Sequence, residues 1–103
     1  MAQMFESSKF NGNISNWNVS NVTNMRGMFC NAVFNRDISK WDVSNVTNMN
    51  QMFTFSKFKK NISNWNVNNV LSFDKIFDFT FIKWEYMPKF KVNEAFNFNS
   101  INK

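Results

Sequence analysis

Histidine is absent from this 103-residue chain, cysteine and proline occur once each, and there are only two glycines. Without histidine the commonest general base and metal ligand are missing. A lone cysteine, Cys30, builds neither a disulfide framework nor a thiolate metal set. Two glycines do not make a glycine-rich phosphate loop, and no nucleophile stands in a recognisable pairing with a base. No stretch approaches the roughly 20 apolar residues that a bilayer span requires. No basic segment followed by an apolar run opens the chain, so it carries no visible targeting signal. These absences predict a non-enzymatic chain with no catalytic, cofactor-binding or metal-binding residues, and with no cofactor.

What is present is repetition. Trp17, Trp41 and Trp65 stand 24 residues apart, inside the segments NISNWNVSNVTNM, DISKWDVSNVTNM and NISNWNVNNVLSF. A fixed period of this length marks a stack of units, none of which can bury its apolar face alone. Aligning the copies gives apolar columns: Met1, Met25, Met49 and Phe73; Met4, Met28, Met52 and Ile76; Phe5, Phe29, Phe53 and Phe77. The small residues Ser8, Ala32, Ser56 and Thr80 form a fourth column. Within a copy these fall at i, i+3, i+4 and i+7, the spacing of one face of a short helix. Further along, the alternation in Trp41-Asp42-Val43-Ser44 predicts a short half-buried strand.

Asparagine supplies 20 residues, concentrated at presumed corners such as Asn21, Asn45 and Asn69, or Asn24 and Asn48. Asparagine tolerates left-handed backbone and hydrogen-bonds its own main chain, and so turns corners where glycine is lacking. Fourteen Phe and four Trp bring large buried areas, and seven Met fill irregular gaps. The period holds over residues 1–78, with coils near 1–24, 25–48 and 49–72 and a partial one from 73. It decays after Phe77, and residues 79–103, which hold Pro88, read as a C-terminal cap and tail. Met1 already falls in a repeat column, so the chain begins within a coil, as a fragment of a longer protein would.

The unit W-[DN]-V-S-N-V-T-N-M-x-x-M-F-x-x-[AS]-x-x-F-N-x-[DN]-I-S resembles the bacterial BspA-like leucine-rich-repeat surface proteins, in the variant frequent among mollicute lipoproteins. The resemblance covers about residues 1–78, and Ile38-x-x-Trp41-x-Val43 echoes the leucine-rich frame with Trp replacing one Leu. It implies a horseshoe-like coil stack displayed at a cell surface or extracellularly as part of a parent protein, with a role in adhesion or partner binding. Acids at Asp37 and Asp42 in the middle coil alone, scarce glycine and a tryptophan lost from the last coil depart from the family pattern. The expected fold is α/β: a leucine-rich-repeat-like right-handed solenoid with one short parallel strand and one short helix per 24-residue coil.

A binding face is expected on the outward strand positions: Asn16, Asn18 and Ser20, then Lys40, Asp42 and Ser44, then Asn64, Asn66 and Asn68. This row is polar and nearly uncharged, which suits hydrogen bonding to a surface protein or glycan of a host. The net charge of +5 is uneven, and Lys57, Lys59, Lys60, Lys83 and Lys89 predict a basic edge. Such an edge would act through charge on nucleic acid or another anionic surface, with no specific nucleic acid implied. An alternative is a self-assembling unit, joined to another copy through the uncapped first coil around Met1, Met4 and Phe5. Cys30 lies in the column of Glu6, Thr54 and Asp78 and reads as an outward, unpaired thiol.

Overall fold

The structure, a computed structural model, describes residues 1–91. Among them the only helical element is the three-residue 3-10 helix Trp84–Tyr86. The only ladder contacts are isolated parallel bridges, Asn24 to Asn48 and Asn48 to Ser72. The expected leucine-rich-repeat-like α/β solenoid is therefore not what forms. Neither the helix nor the parallel strand foreseen for each 24-residue coil exists.

Four-residue turns take the place of both. In the middle repeat they run Ile38–Trp41, Val43–Val46, Met49–Met52 and Phe53–Ser56. In each, the fourth N–H donates to the first carbonyl, at 3.1, 3.0, 3.1 and 2.9 Å. Both ends of every one of these turns are buried, and no middle position except Thr54 is. Two consecutive four-residue turns with inward ends produce apolar residues at i, i+3, i+4 and i+7. That is the spacing of a helix face, which is why the pattern in Met49–Ser56 reads as helical. The alternation around Trp41 has the same origin, since Trp41 ends one turn and Val43 begins the next.

A helix would need negative φ throughout. Here the third residue of the Met–Met and Phe–Ser turns is left-handed: Gln3, Gly27, Gln51 and Lys75 in one column, Ser7, Asn31, Phe55 and Phe79 in another, with φ between 55° and 62°. A positive φ at the third position is what type II turns require. It also turns alternate N–H groups out of the local turn and toward the next repeat. Met25, Gly27, Phe29 and Asn31 donate to the carbonyls of Asn48, Asn50, Met52 and Thr54, at 2.8, 2.9, 2.9 and 2.7 Å. Met49, Gln51, Phe53 and Phe55 repeat the pattern on Ser72, Asp74, Ile76 and Asp78. The backbone donors are thus shared between turns within a layer and bonds between layers, which leaves none for an α-helical ladder.

Asparagine turns corners by hydrogen-bonding its own main chain, as expected, and rarely by left-handed backbone. Of the left-handed residues only Asn31 is asparagine. Elsewhere an Asn or Asp precedes a turn and accepts the N–H two residues on: Asn13 from Ser15, Asn24 from Arg26, Asp37 from Ser39, Asn48 from Asn50 and Asn61 from Ser63, at 2.8 to 3.0 Å. Asn45 and Asn69 instead reach between layers, where their Nδ2 donates to the carbonyls of Ser20 and Ser44, each at 2.7 Å. These are amide-to-backbone links.

The core follows the same register. Phe5, Phe29, Phe53 and Phe77 stack ring on ring at 5.6 Å between successive centroids, within 9° of parallel. Phe10, Phe34 and Phe58 form a second column at 6.4 and 6.3 Å. Trp41 and Trp65 tilt against Phe29 and Phe53, and their indole Nε1 groups donate to the carbonyls of Ile14 and Ile38, both at 3.0 Å. Burying one such aromatic contributes about 1.5–3 kcal/mol. Beyond the third repeat, Ile82 is buried, Tyr86 accepts the N–H of Ile62, and Phe90 stacks on Phe73 at 4.3 Å. Residues 92–103, the rest of the expected cap and tail, lie outside the described residues.

Candidate binding surfaces

The expected polar row is not a strand face, because no strand exists there. Asn16, Lys40 and Asn64 are exposed third residues of the Ile–Trp turns. Asn18, Asp42 and Asn66 are exposed too, but each folds its side-chain oxygen back onto the chain. Asn18 accepts the N–H and hydroxyl of Ser20 at 3.0 and 2.6 Å, Asp42 those of Ser44 at 3.0 and 2.5 Å, and Asn66 the N–H of Asn68 at 3.1 Å. Ser20 and Ser44 are half-buried and Asn68 is exposed. At Asn18 and Asn66 the row therefore turns an amide nitrogen outward, with the side-chain oxygen engaged. The hydroxyl and N–H of Ser44 hold the Asp42 carboxyl below the usual aspartate range.

Lys57, Lys59, Lys60, Lys83 and Lys89 of the expected basic edge are all exposed. The Lys83 ammonium lies 5.4 Å from the centroid of the Tyr86 ring, a cation–π contact. Lys60 instead lines a shallow groove with Asn11, Asn35, Arg36, Asp37 and Asn61. An adjoining depression shares Arg36 and Asp37 and adds Asn13, Ser15 and Lys40. Lys40 of the polar row and Lys60 of the basic edge thus face one polar channel.

Two features set the channel. The Arg36 Nε donates to the Asn11 carbonyl at 2.9 Å, which ties the guanidinium to the layer below. The Asn11 and Asn35 side-chain oxygens accept the backbone N–H groups of Asn35 and Lys59, at 2.8 and 3.0 Å, so that wall is registered every 24 residues. The Asp37 carboxyl is held below the usual aspartate range. The Ser39 N–H and hydroxyl lower its pKa most, burial opposes them, and the Lys40 and Lys60 charges lower it further. Three cations around one carboxylate leave the channel positive. Arg36, Asn11 and Asn35 were not singled out from sequence. The signal was there in the register, since Asn11, Asn35 and Lys59 share a column.

Among the described residues no group of three or more His, Cys, Asp and Glu side chains comes together to hold a metal ion. Asp37 and Asp42 each cap their own turn. Cys30 is half-buried, contrary to its expected outward position, and burial, with the Glu6 charge second, pushes its thiol pKa up. In the first layer Trp17 is 39% exposed and Met4 53%, against 4% and 5% for Trp41 and Trp65. No helix among the described residues is long and apolar enough to cross a membrane.

No curated protein and no solved structure matches the chain. A family model does, over residues 1–90, the whole repeat array and the segment that follows it. The chain belongs to the family described as Mycoplasma protein of unknown function, DUF285.

Proposed function

We propose that this chain is a non-catalytic binding or adhesion module of a mycoplasma surface protein, one that takes a polar partner, a protein or a glycan, along the channel at Arg36. The observation that carries this reading is the convergence of Arg36, Lys40 and Lys60 around Asp37 in a groove walled by asparagine. Guanidinium and ammonium groups beside amide donors suit carboxylate or hydroxyl groups of a ligand. Surface display and kinship to the BspA-like proteins draw on the family membership together with the repeat motif.

A glycan and host-protein array probed with the chain and with the double variant Arg36→Ala, Lys60→Ala tests this. Ligands held by the parent and lost by the variant support the channel. Ligands held equally by both place recognition elsewhere and refute the proposal. Self-association is a second reading, favoured by the exposed first-layer aromatics Phe10 and Trp17. Light scattering across a dilution series decides it, since a monomer at every concentration removes that reading.

A further inference from the structure

In segments 55–59 and 79–83, which leave the Phe–Ser turns of the last two layers, buried and exposed side chains alternate. Ser56, Phe58 and Ile82 point inward and are buried, whereas Phe55, Lys57, Lys59, Phe79, Phe81 and Lys83 are exposed. The layers beneath fix the placement, because the Lys57 N–H donates to Ala32 and the Lys59 N–H to Asn35. Phe55 and Phe79 stack on each other at 4.5 Å and 4° while 55% and 71% exposed, and Phe81 is 83% exposed. One face thus carries three phenylalanines, three lysines and no acid.

Folding does not explain these phenylalanines. Phe55 and Phe79 both hold left-handed backbone, φ 57° and 60°, a region unfavourable for bulky side chains. The two earlier layers fill the same column with Ser7 and Asn31, and asparagine suits that conformation. Left-handed backbone recurs in every repeat, but only in these two layers does its column carry large apolar side chains, and these stand exposed beside Phe81, which marks an interaction surface.

We infer that this face docks on the headgroup region of an anionic phospholipid bilayer, with the Phe81 ring and the edges of the Phe55–Phe79 pair entering the interface and Lys57, Lys59 and Lys83 meeting lipid phosphates. Charge complementarity points to an anionic partner. The stacking of Phe55 on Phe79 favours lipid over a nucleic-acid base or a sugar ring, because the two ring faces between them cover each other. The face also offers no amide or hydroxyl to read sugar hydroxyls. This docking does not rest on the channel at Arg36, although Asn35 of the channel wall also anchors Lys59.

Flotation with vesicles of phosphatidylcholine, alone or mixed with phosphatidylglycerol, tests the inference, with oligo(dT) as competitor. The chain should float only with the anionic vesicles, and less at high salt. Lys57→Glu should weaken binding at least about fivefold, the effect of one lysine near an anionic surface. Phe81→Ser should weaken it about tenfold or more, from the apolar area left in water. The double variant Phe55→Asn, Phe79→Asn separates fold from function: it should melt no lower than the parent and yet lose vesicle binding. No flotation with anionic vesicles, full binding by that double variant, or displacement of the vesicles by oligo(dT) would overturn the inference.

Discussion

Replacing Trp41 by Ala probes the layer-to-layer packing most sharply. The indole is 4% exposed, tilts on Phe29 at 6.2 Å and donates from Nε1 to the Ile14 carbonyl of the layer below. Truncating a buried Trp to Ala costs about 3–5 kcal/mol through lost transfer energy and the cavity left behind. Trp41→Phe separates the terms. It keeps an aromatic ring near Phe29 but leaves the Ile14 carbonyl without its donor, which costs about 1–3 kcal/mol. Trp17 is 39% exposed, so scaling by buried area puts Trp17→Ala at only about 2 kcal/mol. Urea unfolding followed by near-ultraviolet circular dichroism measures all three. The expected order of destabilisation is Trp41→Ala, then Trp17→Ala and Trp41→Phe at similar size. If Trp17→Ala proves as damaging as Trp41→Ala, the layers do not bury their tryptophans as described.

Acid should weaken the fold through Asp37 and Asp42, whose folded-state pKa values lie below the ordinary aspartate value. For carboxylates lowered in this way the stabilisation is fully present above that value and is lost as pH falls through the lower folded-state values. The double variant Asp37→Asn, Asp42→Asn, which keeps turn-capping oxygens of the kind Asn18 and Asn66 supply, should lose less melting temperature on acidification than the parent. Gln51 sits at φ 57° in the column that Gly27 occupies with φ 62°. Gln51→Gly should therefore stabilise by up to about 1 kcal/mol in thermal melts, left-handed strain relieved against added unfolded-state entropy, and a loss of stability would speak against that backbone. Asn66→Ala removes one exposed turn cap and should cost no more than about 1 kcal/mol by the same melts, whereas a larger loss would mean that the side chain is buried.

The period and the inward columns were readable from the letters, because they depend only on which residue types recur. Met28, Phe29, Met52 and Phe53 are indeed fully buried. The kind of element was not readable, since a helix face and a pair of four-residue turns place apolar residues at the same spacing. A hint did exist: Gly27 and Asn31 are third residues of their turns, where left-handed backbone is needed. Gln51 and Phe55 in the same columns conceal it. The lysines and polar positions of the expected faces could be named individually. Their grouping could not, because Lys40 and Lys60 meet only through the segment before the Ile38–Trp41 turn that carries Arg36 and Asp37. Phe55 and Phe79 stand where Ser7 and Asn31 stand in earlier copies, so that column gave no apolar signal.

Scalar couplings across hydrogen bonds, measured by NMR on isotopically labelled chain, test the turn-built layering directly. The Phe29 nitrogen should couple to the carbonyl carbon of Met52, and the Met28 nitrogen to that of Met25. A coupling from the Phe29 nitrogen to the Met25 carbonyl, the mark of an α-helix, with none reaching the next repeat, would contradict it.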